Sequence, residues 1–141
     1  MTISPLSEEF KIPLMKLLSR WEKNISLIDS DEGVQIVLSK DFSIELDSTA
    51  VTVFFFGFEN AFYSFDYNSY ESYVISVCEF IENLMTHRIR IVTQYRNKVL
   101  YRKSVYILGQ DSWKKIATIK QISICNFFGK SDITTKEFYY H

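Results

Sequence analysis

The spacing of apolar positions along this chain changes period several times, and each change predicts an element. After Pro13, Leu14, Leu17, Leu18 and Trp21 recur at i, i+3, i+4 and i+7, which predicts a helix ending near Lys23 and Asn24. Ser4 and Pro5 suit the start of a short earlier helix, with Pro at its first position, and Pro13 is expected to interrupt it. Val34, Ile36 and Leu38 then alternate with other residues, as do Phe42, Ile44 and Leu46, so both stretches read as half-buried strands. The connections Ser39-Lys40-Asp41 and Asp47-Ser48-Thr49 have turn chemistry, and residues 29–33 read as another turn. Residues 51–56 are apolar at nearly every position, which predicts a central strand covered on both faces. Residues 25–28 offer a further edge strand. Gly57 breaks the run, and Phe62 and Phe65 fit either a short strand or a packed loop.

The strongest periodicity spans residues 69–86. Ser72, Ser76, Glu79, Asn83 and Thr86 make a narrow polar stripe, and Tyr70, Tyr73, Val74, Val77, Phe80, Ile81, Leu84 and Met85 fill the opposite arc. Asn68 with Glu71 reads as its capping pair. His87 and Arg88 follow where the helix dipole favours cations. From Ile89 the period returns to two. Asn97-Lys98 is a two-residue turn candidate, which pairs Arg90 with Val105 and Val92 with Lys103. Gly109-Gln110-Asp111 is the next turn, residues 113–127 suit one bent strand or two, and Phe138 to Tyr140 can close an edge. The sum is an α+β fold, a mostly antiparallel sheet packed with two helices, in a single domain over residues 1–141.

Composition adds one unusual number. The 2 Trp, 9 Tyr and 12 Phe supply core area out of proportion to the length of 141 residues. Disorder is excluded by the content of only 4 Gly and 2 Pro with ordinary hydrophobicity. No basic n-region precedes an apolar stretch at the N-terminus, and no apolar run approaches a membrane span, so a cytoplasmic protein without membrane contact is expected. Two cysteines, Cys78 and Cys125, are too few for a disulfide framework.

Charge changes the picture more. The net of −1 hides 14 acidic and 5 basic residues before position 87 against 3 acidic and 11 basic ones after it. Such a split is a signal about partners, unless the two halves pack together and neutralise each other. The acids Glu59 and Asp66 are interleaved with Tyr63 and Tyr67, and Asp31, Glu32 and Asp47 sit at turns. Acids with tyrosines form a rigid polar surface able to hold Arg and Lys of a partner, although turn acids also serve turns on their own account. Arg88, Arg90, Arg96, Lys103 and Tyr101 share a face in the hairpin register above. They invite a nucleic-acid reading over 88–103, which the acidic half opposes.

Chemistry for catalysis or metal is thin. Two His, two distant Cys and no CxxC or HExxH leave no ligand cluster, so neither metal nor cofactor is expected. The four isolated glycines form no phosphate cradle, and there is no GxSxG elbow. Cys78, at the border of the apolar arc, reads as a small buried thiol, and His87, about 13 Å of helical rise away, is too far to pair with it.

The order of elements, with a Trp near the end of the first helix, then "VTVFFFGFENAFYSFD", then "ESYVISVCEFIENLMTHRIRIVTQYRNKVLYRKSVYIL", resembles small bacterial immunity proteins of polymorphic-toxin and contact-dependent growth inhibition systems. The resemblance covers residues 13–108 and carries no catalytic motif. It implies a cytoplasmic protein without enzyme activity that binds and occludes one cognate toxin domain, a basic one and a nuclease among the candidates. Glu59, Tyr63, Asp66 and Tyr67 are then the expected contact residues, with Asp31, Glu32 and Asp47 at the rim. A nucleic-acid-binding module, a small-molecule enzyme using the aromatic and acidic segment, and a dimeric structural subunit are the rival readings.

Overall fold

The computed structural model describes residues 4–96, 98–120 and 131–140. These form two helices and nine strands in two antiparallel sheets, the α+β class expected from the sequence. The chain divides into two compact units, residues 1–82 and 83–141. No charged residue lies between 83 and 86, so the charge boundary read in the sequence coincides with this structural division. The first unit holds the 14 acids and 5 bases, and the second the 3 acids and 11 bases.

In the first unit, helix α1 spans Glu8–Trp21 and contains Pro13. The expected break at Pro13 is therefore corrected. The apolar stripe begins at Phe10 and runs through the proline to Leu14, Leu17 and Leu18, all buried. Burying each such side chain stabilises by about 1.5–3 kcal/mol, enough to offset the one backbone bond that Pro cannot donate. Ser4 to Ser7 form a turn ahead of the helix, in which the Ser7 hydroxyl donates to the Ser4 carbonyl at 2.9 Å.

Five strands follow as a meander in the order β1-β2-β3-β4-β5: β1 Ser26–Ser30, β2 Gly33–Ser39, β3 Phe42–Leu46, β4 Ala50–Phe55 and β5 Phe58–Tyr63. Short two-residue turns close β1–β2, β2–β3 and β4–β5. At the last of these, Phe56 (φ 48°) and Gly57 (φ 82°) both take the left-handed conformation a tight hairpin needs. Ile36, Leu38, Phe42, Ile44, Leu46, Val51, Val53 and Phe55 make the buried face. On β4 the alternate residues Thr52 and Phe54 are only half-buried. The expectation of cover on both faces is thus corrected: β4 is an interior strand of a sheet buried on one side.

Helix α2, Tyr70–Thr86, begins in the first unit after a 3-10 turn at Ser64–Asp66. Its cap is Ser69, not Asn68. The Ser69 hydroxyl accepts the Ser72 amide at 3.2 Å, and the Ser72 hydroxyl donates back to the Ser69 carbonyl at 3.0 Å. Phe80 meets the rings of Phe55 and Phe62 edge-on at centroid distances of 5.8 and 5.2 Å, and Tyr73 meets Phe10 of α1 at 5.0 Å. These contacts seat the helix on the buried face of the sheet.

The second unit carries β6 Arg88–Arg96, β7 Val99–Leu108, β8 Trp113–Lys120 and β9 Ser131–Tyr139, in the order β8-β7-β6-β9. The final strand closes an edge as expected, against β6. The β6–β7 turn holds Lys98 at φ 65°; its other residue, Asn97, lies outside the described residues. The remainder of the stretch 113–127 beyond Lys120, with Cys125, also lies outside them. The register departs from the sequence expectation. Arg96 pairs with Val99 and Tyr95 with Leu100, but a bulge then inserts Tyr101, so Arg90 faces Tyr106 and Val92 faces Ser104. Among the described residues no helix is long and apolar enough to cross a membrane.

Candidate functional site

Strand parity sorts the first sheet into its buried face and an open one. Ile28, Gln35, Glu45, Thr52 and Ala61 stand in one row of the open face, and Val37, Ser43, Phe54 and Glu59 in the next. The β1–β2 turn, the β3–β4 turn and the end of β5 all lie at one end of this sheet. That places Asp31, Glu32, Asp47, Tyr63 and Asp66 at the same end. Glu59 pairs with Phe54 towards the other end, about 13 Å along β5 from Tyr63.

Asp47 is the best-defined acid of the group. One carboxylate oxygen accepts the Thr49 and Ala50 amides, each at 2.8 Å, and the Thr49 hydroxyl at 3.1 Å. Partial burial pushes its carboxyl upward, but these hydrogen bonds outweigh it and hold the group below its ordinary value. Asp47 therefore serves its turn and keeps its charge. With Glu32 and Glu45 it borders a groove of about 230 Å³ that also takes in Ile28 and Gln35. The place of Glu45 between the buried Ile44 and Leu46 puts it on the open face.

The aromatic residues of the segment divide. Tyr63 is exposed and stacks on Phe65 at 5.2 Å, and Phe65 is itself 76% exposed. Of the two options read in the sequence, Phe62 thus lies in a strand and Phe65 on the surface, not in a packed loop. Tyr67 is half-buried and stacks on Tyr73 at 4.7 Å, so its ring serves the interior.

The basic hairpin presents a different arrangement. The bulge moves Lys103 opposite Thr93, onto the side of Ile91 and Val105, and brings Arg102 opposite Gln94 on the Arg90 side. Lys103 is therefore removed from the basic face that the sequence register gave it. The Arg90 guanidinium donates twice to Glu137, at 2.7 and 3.2 Å, and lies 4.0 Å from the centroid of the Trp113 ring. Lys115 sits over Tyr106 at 5.9 Å.

Cys78 and His87 lie on and just beyond the second half of α2. Burial, aided by Glu82, pushes the Cys78 thiol up to about 11. The His87 ring nitrogen Nδ1 lies 3.1 Å from the Asn83 carbonyl and 2.9 Å from the Thr86 hydroxyl. Among the described residues no three His, Cys, Asp or Glu side chains form a metal-binding group. Comparison with protein-family models, with curated proteins and with solved structures finds no match to this chain.

Proposed function

We propose that this chain is an immunity-type binding protein that occludes a basic toxin domain in the cytoplasm and performs no reaction of its own. The observation that carries the reading is the coincidence of charge with structure. The first compact unit holds 14 acids against 5 bases. It gathers Asp31, Glu32, Asp47 and Asp66 at one end of a sheet whose outer face is open. A field of that sign speeds encounter with a basic partner, and preformed side chains on strands and tight turns lower the ordering cost of the complex. The order of elements that resembles immunity proteins supports the same reading.

The test is protection. Cells expressing a cognate basic toxin domain, sought first in the gene neighbouring that of this chain, should survive when the chain is co-expressed, and the purified pair should associate more slowly as salt is raised. Survival without any physical association, or association indifferent to salt, would count against occlusion through the acidic unit.

A second reading attaches to the other unit, where Trp113, Tyr106, Arg90 and Lys115 line one sheet face as aromatic and basic groups suited to single-stranded nucleic acid. The Arg90–Glu137 pair opposes it, since that guanidinium is already matched by a carboxylate. Salt-dependent RNA or DNA binding abolished by Trp113→Ala would favour it.

A further inference from the structure

Strand β1 is an edge of the first sheet, and no described strand pairs with its outer side. In a hairpin closed by a two-residue turn, the residues flanking the turn form a hydrogen-bonded pair, and hydrogen-bonded pairs then alternate along the ladder. Ser30 and Ile28 therefore direct their N–H and C=O groups to β2, and those of Leu27 and Asp29 point outward. Every residue of β1 is exposed, Leu27 by 56% and Ile28 by 53%. Edge strands are usually blunted by Lys, Pro or a bulge. Among the described residues, the outer strands of the second sheet follow that habit, with Lys114 and Lys115 on β8 and Lys136 on β9, while β1 carries only Asp29.

Two cavities flank this edge, one on each face of the sheet. Beneath it, Leu14 and Met15 of α1 with Leu27, Val34, Ile36 and Leu46 line an apolar cavity of about 230 Å³, with Lys11 and Asp29 also in its wall. Above it, Ile28 and Ser30 border the groove that carries Glu32, Glu45 and Asp47. Side chains of an added strand would alternate between these two faces.

We infer that β1 is a docking edge for an extended segment of a partner protein in which apolar residues alternate with Lys or Arg. This rests on the proposed binding of a basic partner and specifies how it is held. The outward N–H and C=O groups of Leu27 and Asp29 supply the backbone ladder. Apolar side chains enter the cavity beneath, and basic ones reach over Ile28 towards Glu32 and Glu45. Glu32 and Glu45 above the edge admit a basic strand and repel an acidic one. A second copy of this chain is disfavoured at the same edge, because it would bring together two units of 14 acids and 5 bases each.

The probe is a capped peptide alternating valine and lysine over roughly six positions, long enough to match a strand of ordinary length. Binding to the full chain is followed by fluorescence anisotropy. It should bind, while versions with glutamate for lysine, or with N-methylated backbone, should not. Asp29→Pro removes an outward donor without touching the β2 ladder, and should weaken binding by roughly tenfold, the value of one backbone hydrogen bond. Leu27→Lys should weaken it comparably by placing a like charge on the edge. If Asp29→Pro does not fold, Leu27→Lys and the N-methylated peptide decide the matter. The inference is overturned if the lysine peptide fails to bind, if it binds folded Leu27→Lys as it binds the parent, or if sedimentation shows a dimer that Leu27→Lys dissociates. Should any of these occur while the chain still protects against a basic toxin in a salt-dependent way, the proposed function stands and only the docking edge is lost.

Discussion

The Tyr73 hydroxyl donates to the Phe62 carbonyl across 2.6 Å, joining the first turn of α2 to β5. Burial, reinforced by Tyr67, raises this phenol well above its ordinary value, so it remains a donor through neutral pH. Tyr73→Phe keeps the ring against Phe10 and Tyr67 and removes only the bond, so it should cost about 1 kcal/mol. Tyr73→Ala also empties the space and should cost about 3–5 kcal/mol. Urea unfolding with an unchanged slope is the measurement; a Phe variant as stable as the parent would assign the whole effect to ring packing.

Ser69→Ala removes the acceptor for the Ser72 amide and should destabilise the chain by about 1 kcal/mol. Asn68→Ala should be close to neutral. The reverse order in thermal melts would return the cap to Asn68.

That pair of residues shows what the sequence could and could not convey. Both are good caps, and their difference lies in which side chain meets the third helical amide, a matter of backbone geometry. The long helix itself was legible, because an amphipathic period sustained from Tyr70 to Thr86 has few alternative explanations. So were the strands around Ile36 and Ile44, where alternation reports one buried face. The start of α1 was not. A proline reads locally as a boundary, and only the burial of Phe10 shows that the apolar stripe continues through it. The β6–β7 register failed at Tyr101 because a bulge leaves no mark in polarity. Of the site, the charge split was legible by counting. The gathering of Asp31, Glu32, Asp47 and Asp66 at one end needs strand order, which spacing alone does not fix.

Asp47 links the turn at 47–50 to pH. Its carboxyl lies lower in the folded chain than its ordinary value, so the unfolded state binds the extra proton as pH falls. Its contribution is fully present above the unfolded value of about 3.9 and is lost as pH drops through the lower folded value. Asp47→Asn should flatten stability against pH in that acid window and leave its shape near pH 7 unchanged. An unaltered acid limb would place the titration elsewhere.

Cys78 should be a slow nucleophile. With its thiol pushed up to about 11, little thiolate exists near pH 7. In a chain carrying Cys125→Ser, iodoacetamide labelling should rise through the alkaline range towards that midpoint. Cys78→Ala should leave partner protection intact. Rapid labelling at neutral pH, or loss of protection in a folded Cys78→Ala chain, would give the thiol a chemical role.

Glu59 and Asp66 report on opposite ends of β5, so together they locate the partner along the sheet. At physiological salt, charges farther apart than about 8 Å are largely screened. Glu59 stands about 13 Å along the strand from Tyr63, beyond that length from a partner seated at the Asp47 end. Asp66→Ala and Glu32→Gln should therefore each slow association with a basic toxin domain, with little change in dissociation, because both carboxylates are exposed and solvated charges act chiefly on encounter. Glu59→Ala should matter only at low salt, where screening recedes. Stopped-flow association rates across a salt series distinguish these cases, with circular dichroism confirming the fold of each variant. If Glu59→Ala speeds dissociation while Asp66→Ala is silent, the contact lies at the other end of β5. If a reversal of Arg88 abolishes binding while both acidic variants behave like the parent, the basic sheet of the second unit is the working surface.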